Sequence, residues 1–239
     1  AKQVLSHLLP LIKANEHQEW LAEFARLRKI EDEKIILNDT VPSEGEIKMG
    51  EVINLVSEKT KGEAILVTDV GQHQMMSARY YKFNRPDSHI TSGGLGTMGF
   101  ALPASFGAQL ASDRQVVAVA GDGGIQLTIQ ELGTIVQYNV PVKIIILTNN
   151  FLGMVRQWQQ LFFDKRYDST ELVNPNFTKI AEGYGMAANR VDTREGLGPA
   201  IEAMLAHEGP YFLEINVEKE ENIFPMIPSG SSVEEIRLE

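Results

Sequence analysis

A chain of 239 residues with 43% hydrophobic composition is long enough to bury one substantial core, so one main domain plus an appended segment is expected and disorder over the whole length is excluded. Its 22 Lys and Arg against 32 Asp and Glu, a formal net charge of −10, leave no basic footprint for a polyphosphate backbone, which argues against nucleic acid as a partner. The lack of cysteine excludes a disulfide scaffold and a thiolate metal site, and with no apolar run near the roughly 20 residues of a membrane span and no leader-like N-terminus, a soluble cytoplasmic protein is expected.

Residues 1–40 carry two helical patterns, AKQVLSHLLPLI and EHQEWLAEFARLRKIEDE, followed by LNDTVPSEGEI, which reads as a loop. Residues 1–44 are therefore expected to be a linker or the tail of a preceding domain, and 45–239 the main domain. From about Gly45 helical stretches alternate with short apolar runs: AILVTD (64–69), QVVAVAGD (115–122), KIIILTNN (143–150) and YFLEINV (211–217). None alternates between apolar and polar residues, as expected for strands covered on both faces by helices. The fold class that follows is α/β, a doubly wound, mostly parallel sheet flanked by helices. Such sheets bind ligands beyond the carboxyl ends of their strands, which directs attention to the residues just after each run.

The run at 115–122 ends in Gly121-Asp122-Gly123-Gly124, and a helical stretch, IQLTIQELGTIVQY, starts at once. Two glycines after the Asp permit a tight turn and let the backbone approach a bulky anion, while a helix start supplies free N–H groups and partial positive charge. This pattern suits a diphosphate. A carboxylate beside a diphosphate repels it unless a hard divalent cation lies between them, and Mg²⁺ takes oxygens from carboxylates, amides, backbone carbonyls and phosphates. Further oxygens are expected at the end of the neighbouring run, where Thr148-Asn149-Asn150-Phe151 stands. A lone Gly-Asp-Gly is common loop punctuation; an Asn roughly 25 residues on, with strand, turn, helix and strand in order, makes the pattern specific.

Gly94-Leu95-Gly96-Thr97-Met98-Gly99 is formally G-x-G-x-x-G, which raises the alternative of an NAD-binding domain. That fingerprint follows a buried strand, whereas the preceding YKFNRPDSHITS is mostly polar and carries Pro86, so the context argues against it. No G-x-x-x-x-G-K-[ST] and no H-E-x-x-H occurs, which removes P-loop hydrolysis and zinc proteolysis. A noncatalytic scaffold that binds a partner protein stays open.

The strings DVGQHQM (69–75), ITSGGLGTMGFALPASFGAQLA (90–111), GDGGIQLTIQEL (121–132), NNFLGMVRQWQ (149–159) and NIFPMIPSG (222–230) resemble the thiamine diphosphate enzymes, and among them the acetohydroxyacid (acetolactate) synthases. The resemblance covers nearly the whole chain. It implies that Asp122, the Asn149 side chain and the Phe151 backbone oxygen ligate Mg²⁺, with Asn150 in a supporting role. Gly121, Gly123 and Gly124 would seat the diphosphate, which Gln72 and His73 would touch. Gly96 and Met98 would bracket the aminopyrimidine ring, with Met98 enforcing a bent cofactor. Met154, Val155 and Trp158 would border the substrate channel, and NIFPMIPSG would be a mobile cover. Packing roles for His73, Met98 and Trp158 are the open alternatives.

The same resemblance implies pyruvate and 2-ketobutyrate as substrates, condensed with loss of CO₂ toward branched-chain amino acids. It implies a homodimer or tetramer, a small regulatory subunit, and FAD on a separate domain. The glutamate that acts on the cofactor ring belongs to an N-terminal domain of a partner subunit, so no catalytic side chain is assigned here and little activity is expected from this stretch alone. Another thiamine diphosphate-dependent 2-keto acid decarboxylase, oxidase or carboligase is the alternative.

Overall fold

The computed structural model describes all 239 residues. The four apolar runs become β1 (Ile65–Thr68), β3 (Val116–Gly121), β4 (Lys143–Thr148) and β6 (Tyr211–Asn216), joined by β2 (His89–Thr91) and β5 (Ala187–Val191). The sheet order is β2-β1-β3-β4-β6-β5, with every neighbouring pair parallel. The two strands not marked by an apolar run are the edges: HIT and AANRV are partly solvated and carry polar side chains, so they lack the signal of a doubly covered strand.

The helices are α1 (Lys2–Leu8), α2 (Gln18–Glu31), α3 (Leu37–Thr40), α4 (Met49–Thr60), α5 (Gln72–Tyr80), α6 (Ala101–Leu110), α7 (Asp122–Ile125), α8 (Glu131–Gln137), α9 (Gly153–Phe162), α10 (Phe177–Gly183) and α11 (Arg194–Ala206). Pleating sends Val117, Val119, Ile145, Leu147, Leu213 and Ile215 into one core with α4, α5 and α11. Ala118, Ala120, Ile144, Ile146 and Phe212 enter the other with α6, α7, α8 and α10. Each Val, Leu or Ile so buried contributes about 1.5–3 kcal/mol relative to exposure. No helix is long and apolar enough to cross a membrane.

Two sequence expectations change. The loop expected over 37–47 begins at Val41, because the helical path continues from α2 through a π-helical turn at Asp32–Ile36 into α3. Asp39 holds that path down: its buried carboxylate accepts the Tyr80 hydroxyl at 2.6 Å, while residues 1–29 are exposed throughout. The helix expected over 125–138 is broken between α7 and α8. There Thr128 Oγ1 donates to Gly99 O at 2.8 Å, and a Cβ at Gly99 would come within 3.0 Å of Leu127 and Thr128, so the break seats the glycine-rich loop.

Strand order reverses at β1: the chain passes through α5 to β2 on one side, then returns through α6 to β3 on the other. The crevice between the carboxyl ends of β1 and β3 is the switch point at which such sheets bind ligands. Register adds the third wall, since Gly121 pairs with Leu147 and so Asp122 emerges beside Thr148 and Asn149.

Replacing Tyr80 by Phe removes the hydroxyl donor to the buried Asp39 carboxylate and is expected to cost about 1–3 kcal/mol, read as a lower midpoint in urea unfolding. A midpoint unchanged from the unaltered chain would show that Asp39 finds water there.

Candidate functional site

A cavity of about 310 Å³ lies beyond the ends of β1, β3 and β4. Gly121, Asp122, Gly123 and Gly124 line it, together with Gln72 and His73 from the start of α5 and with Asn149, Phe151, Met154 and Val155; Asn149 Nδ2 donates to Gln72 Oε1 at 3.4 Å. Gly96 and Met98 reach it from the loop after β2. Trp158 is not on the cavity wall: it is 41% exposed, with its ring 4.8 Å from that of Phe162. Helical spacing explains the split, because Arg156 and Gln157 are the residues of α9 turned into the protein.

Asp122 is buried to 1% exposure and makes no ion pair. Oδ1 accepts the Gly123 N–H at 3.0 Å; Oδ2 accepts the Asn150 N–H and Asn174 Nδ2, both at 2.7 Å. Burial pushes its carboxyl above the ordinary carboxylate range, against the pull of these donors. Asn149 Oδ1 accepts the Phe151 N–H at 3.1 Å, and none of the hydrogen bonds of loops, caps and side chains ends on the Phe151 carbonyl. Asn150 holds a left-handed backbone, φ +59°, a conformation Asn tolerates, which accompanies its N–H being directed onto Asp122.

These groups fit a hard cation. One underpaired carboxylate, an amide oxygen with a spare lone pair and a free carbonyl are the mixed oxygen donors Mg²⁺ accepts, whereas no group of three or more His, Asp or Glu converges anywhere in the chain. The glycine floor also fits a bulky anion. A Cβ at Gly123 would lie 2.7 Å from Leu152 and 3.7 Å from Met98 Cε, and one at Gly124 would lie 2.5 Å from Asp69 Oδ1. His73 is buried with Nε2 unpaired, and burial pushes its imidazole down to about 4 against the opposing Asp69 charge, so it is neutral at pH 7.

Several residues that hold the site carry no motif of their own in the sequence. Asp69, just past β1, accepts from Val70 N–H (2.8 Å) and Gly99 N–H (3.0 Å) on Oδ1 and from Ala101 N–H (2.9 Å) on Oδ2, fastening the glycine-rich loop and the start of α6. Its signals in the sequence are its place after an apolar run, the same place Asp122 occupies, and its position at the head of DVGQHQM (69–75). Gln157 Oε1 accepts from Gln72 Nε2 at 3.0 Å and from the Ile223 N–H at 2.8 Å, and its Nε2 donates to Ile223 O at 3.0 Å. Gln72 Nε2 also donates to Glu221 O at 2.7 Å, so its amide is turned toward α9 and the tail. A Cβ at Gly153 would overlap Gln72 Oε1, which makes glycine the residue that admits this arrangement.

Arg156 Nη2 donates to Glu221 O and Asn222 Oδ1, both at 2.7 Å. The segment expected as a mobile cover is thus pinned to α9 at its beginning, and Met226 pairs in antiparallel fashion with Arg237. The Gly94–Gly99 string follows a three-residue edge strand of intermediate burial, not a buried central one.

Residues 69–215 match the family described as thiamine pyrophosphate enzyme, C-terminal TPP binding domain. The chain is 42% identical over 187 residues to the acetolactate synthase isozyme 2 large subunit of Escherichia coli, covering 77% of this chain and 34% of that protein. It is 39% identical over 232 residues to the mitochondrial acetolactate synthase of Schizosaccharomyces pombe (95% and 34%) and 38% identical over 238 residues to the acetolactate synthase large subunit of Lactococcus lactis (98% and 40%). It therefore spans between a third and two fifths of the length of these relatives.

Glu221 provides a pH test of the pinned tail. Its side chain is buried, Oε2 accepts the Met49 N–H at 3.1 Å, and burial pushes the carboxyl up to about 7, with Lys48 opposing and Asp39 and Glu218 adding to the rise. A folded-state value above the ordinary 4.5 means the folded chain binds this proton more tightly. Its contribution to stability is then complete below pH 4.5 and lost as pH rises through about 7. Glu221→Gln keeps an acceptor for Met49 without the charge, so the variant is expected to unfold at higher denaturant than the unaltered chain at pH 8, the gap closing by pH 4.5. A gap independent of pH would overturn the assignment.

Proposed function

Since the chain belongs to the thiamine pyrophosphate enzyme family through that family's C-terminal TPP binding domain, we propose that it is the cofactor-anchoring part of an acetolactate synthase large subunit. The reaction assigned to the parent protein joins pyruvate to a second pyruvate or to 2-ketobutyrate with loss of CO₂. The observation that carries the reading is the buried, uncompensated Asp122 carboxylate set beside Asn149 and Phe151 over a glycine floor. Residues 45–239 are taken as the cofactor domain and 1–44 as the approach from a neighbouring one.

On this reading Asp122, Asn149 Oδ1 and the Phe151 carbonyl would hold Mg²⁺, and Gly121, Gly123 and Gly124 would offer their open backbone to the diphosphate. The thiamine ring supplies the carbon nucleophile and electron sink that 2-keto acid chemistry requires. The chain's own residues bind and orient. Gly96 and Met98 would border the ring, and Met98 Cε, 3.7 Å from where a Cβ at Gly123 would lie, would support it from the glycine floor. His73, neutral through burial, would contact the diphosphate as a hydrogen-bonding group and not as a cation. Met154 and Val155 face the cavity as apolar walls that exclude water, and Trp158, further out, meets the acceptor keto acid at the channel. FAD, the ring-activating glutamate, subunit association into a dimer or tetramer and a small regulatory subunit are assigned to the parent assembly.

Thermal unfolding tests the seat. A ligand that binds only the folded state adds about 2.7 kcal/mol at a hundredfold excess over Kd. Thiamine diphosphate with Mg²⁺ is expected to raise the midpoint by several degrees, either component alone far less, and Asp122→Asn is expected to abolish the combined shift. A shift with NADH and none with the pair would sink the reading.

A further inference from the structure

Asn174 reaches the cation seat from a part of the chain with no local sign of a site. The segment that carries it is fixed by strand-like pairing: the Leu152 N–H donates to Thr170 O at 2.8 Å and the Leu172 N–H to Asn150 O at 2.9 Å. That pairing delivers the Asn174 amide to the far side of Asp122 from Gly123. Its Nδ2 donates to Asp122 Oδ2 at 2.7 Å and to Asn150 Oδ1 at 3.0 Å, and its Oδ1 accepts from Gln126 Nε2 at 3.0 Å. Gln126 Nε2 also donates to the Asp122 carbonyl at 3.0 Å, so the amide orientation is set from both ends.

We propose that Asn174 is a positioning residue that makes Asp122 a one-oxygen ligand, through Oδ1. A carboxylate oxygen offers two lone pairs. Both of those on Oδ2 are taken, one by the Asn150 N–H and one by Asn174, whereas Oδ1 accepts only the Gly123 N–H and keeps one free. A neutral amide suits this role, because Lys or Arg at 174 would itself supply the positive charge and the carboxylate would no longer need a metal. Asn150 is drawn into the same arrangement, because its N–H meets Asp122 while its side-chain oxygen steadies Asn174. The inference rests on the reading of Asp122 as a Mg²⁺ ligand and adds to it the oxygen that binds and the residue that selects it.

The test is a thermal titration with Mg²⁺ at saturating thiamine diphosphate, run on the unaltered chain, Asn174→Ala, Asn174→Asp and Asp122→Asn, with each ligand-free midpoint recorded. Removing a hydrogen-bond partner of a metal ligand weakens metal binding by about 10- to 100-fold, so Asn174→Ala should raise the half-saturating Mg²⁺ concentration on that scale. Asn174→Asp sets a second carboxylate against Asp122; its ligand-free midpoint should fall, and Mg²⁺ alone should restore it more than it raises that of the unaltered chain. A purely structural Asn174 would instead lower the ligand-free midpoints and leave the half-saturating Mg²⁺ of Asn174→Ala within about twofold of the unaltered chain, and that result overturns the proposal. Should Asp122→Asn respond to Mg²⁺ like the unaltered chain, or should the unaltered chain show no Mg²⁺-dependent response, the cation seat itself is refuted and the role of Asn174 falls with it.

Discussion

At the end of β3 a carboxylate is withdrawn from water without a positive charge to meet it, and the arrangement of the cavity follows from that. Taking an ion out of water costs several kcal/mol, and the three N–H donors around Asp122 recover part of it, each charge-assisted bond contributing about 1.5–3 kcal/mol. The carboxyl nonetheless stays above its ordinary range, because burial outweighs them. A fourth donor or a nearby Arg would make the site more stable and, on the proposed reading, would leave no need for a cation. The fold sustains this underpairing with two cores of fully buried strands on either side.

The neighbours of Asp122 are those the constraint permits. Asn150 adopts a left-handed backbone so that its N–H points at the carboxylate, and its side-chain oxygen meets Asn174, two duties that Gly or Ala could not both perform. Gly123 and Gly124 are pressed by Leu152 and by Asp69, so a side chain at either position would fill the floor. Behind this floor, Gln157 ties three elements together: the start of α5 through Gln72, its own helix α9, and the tail through Ile223. Met154 and Val155 lie on that same helix, so the apolar wall and the turn at Gln72 are held in fixed relation by one buried amide.

What could be read from the sequence divides along physical lines. The central strands were legible because covering a strand on both faces writes an unbroken apolar run, and the meeting of Gly-Asp-Gly-Gly with the later Asn was legible because both follow such runs on neighbouring strands. β2 and β5 were not, since an edge strand needs no such run. The helix expected after Gly124 overran its break at Gln126–Gln130, because the cause is a contact with Gly99, some thirty positions upstream. Asn174, Gln157 and Glu221 act through partners 24 to 172 positions away, and a local pattern holds no trace of such pairings.

Two aspartates show how environment assigns role. Asp69 and Asp122 each stand just past the carboxyl end of a neighbouring strand, β1 and β3, each is buried to 1% exposure, and each accepts three N–H groups. The donors to Asp69 come from its own turn, from the glycine-rich loop and from the start of α6, whose first-turn N–H groups and dipole favour a negative charge. Asp69 thereby accepts from the first N–H of α6 from outside that helix, and its charge is answered by the fold. Asp122 opens only the single turn of α7, and its donors are its own neighbour Gly123, the backbone of Asn150 and a side-chain amide, none backed by a long helix. Of two carboxylates with the same burial and the same number of bonds, the one whose donors include the start of α6 builds the loop, and the other has no long helix behind its donors.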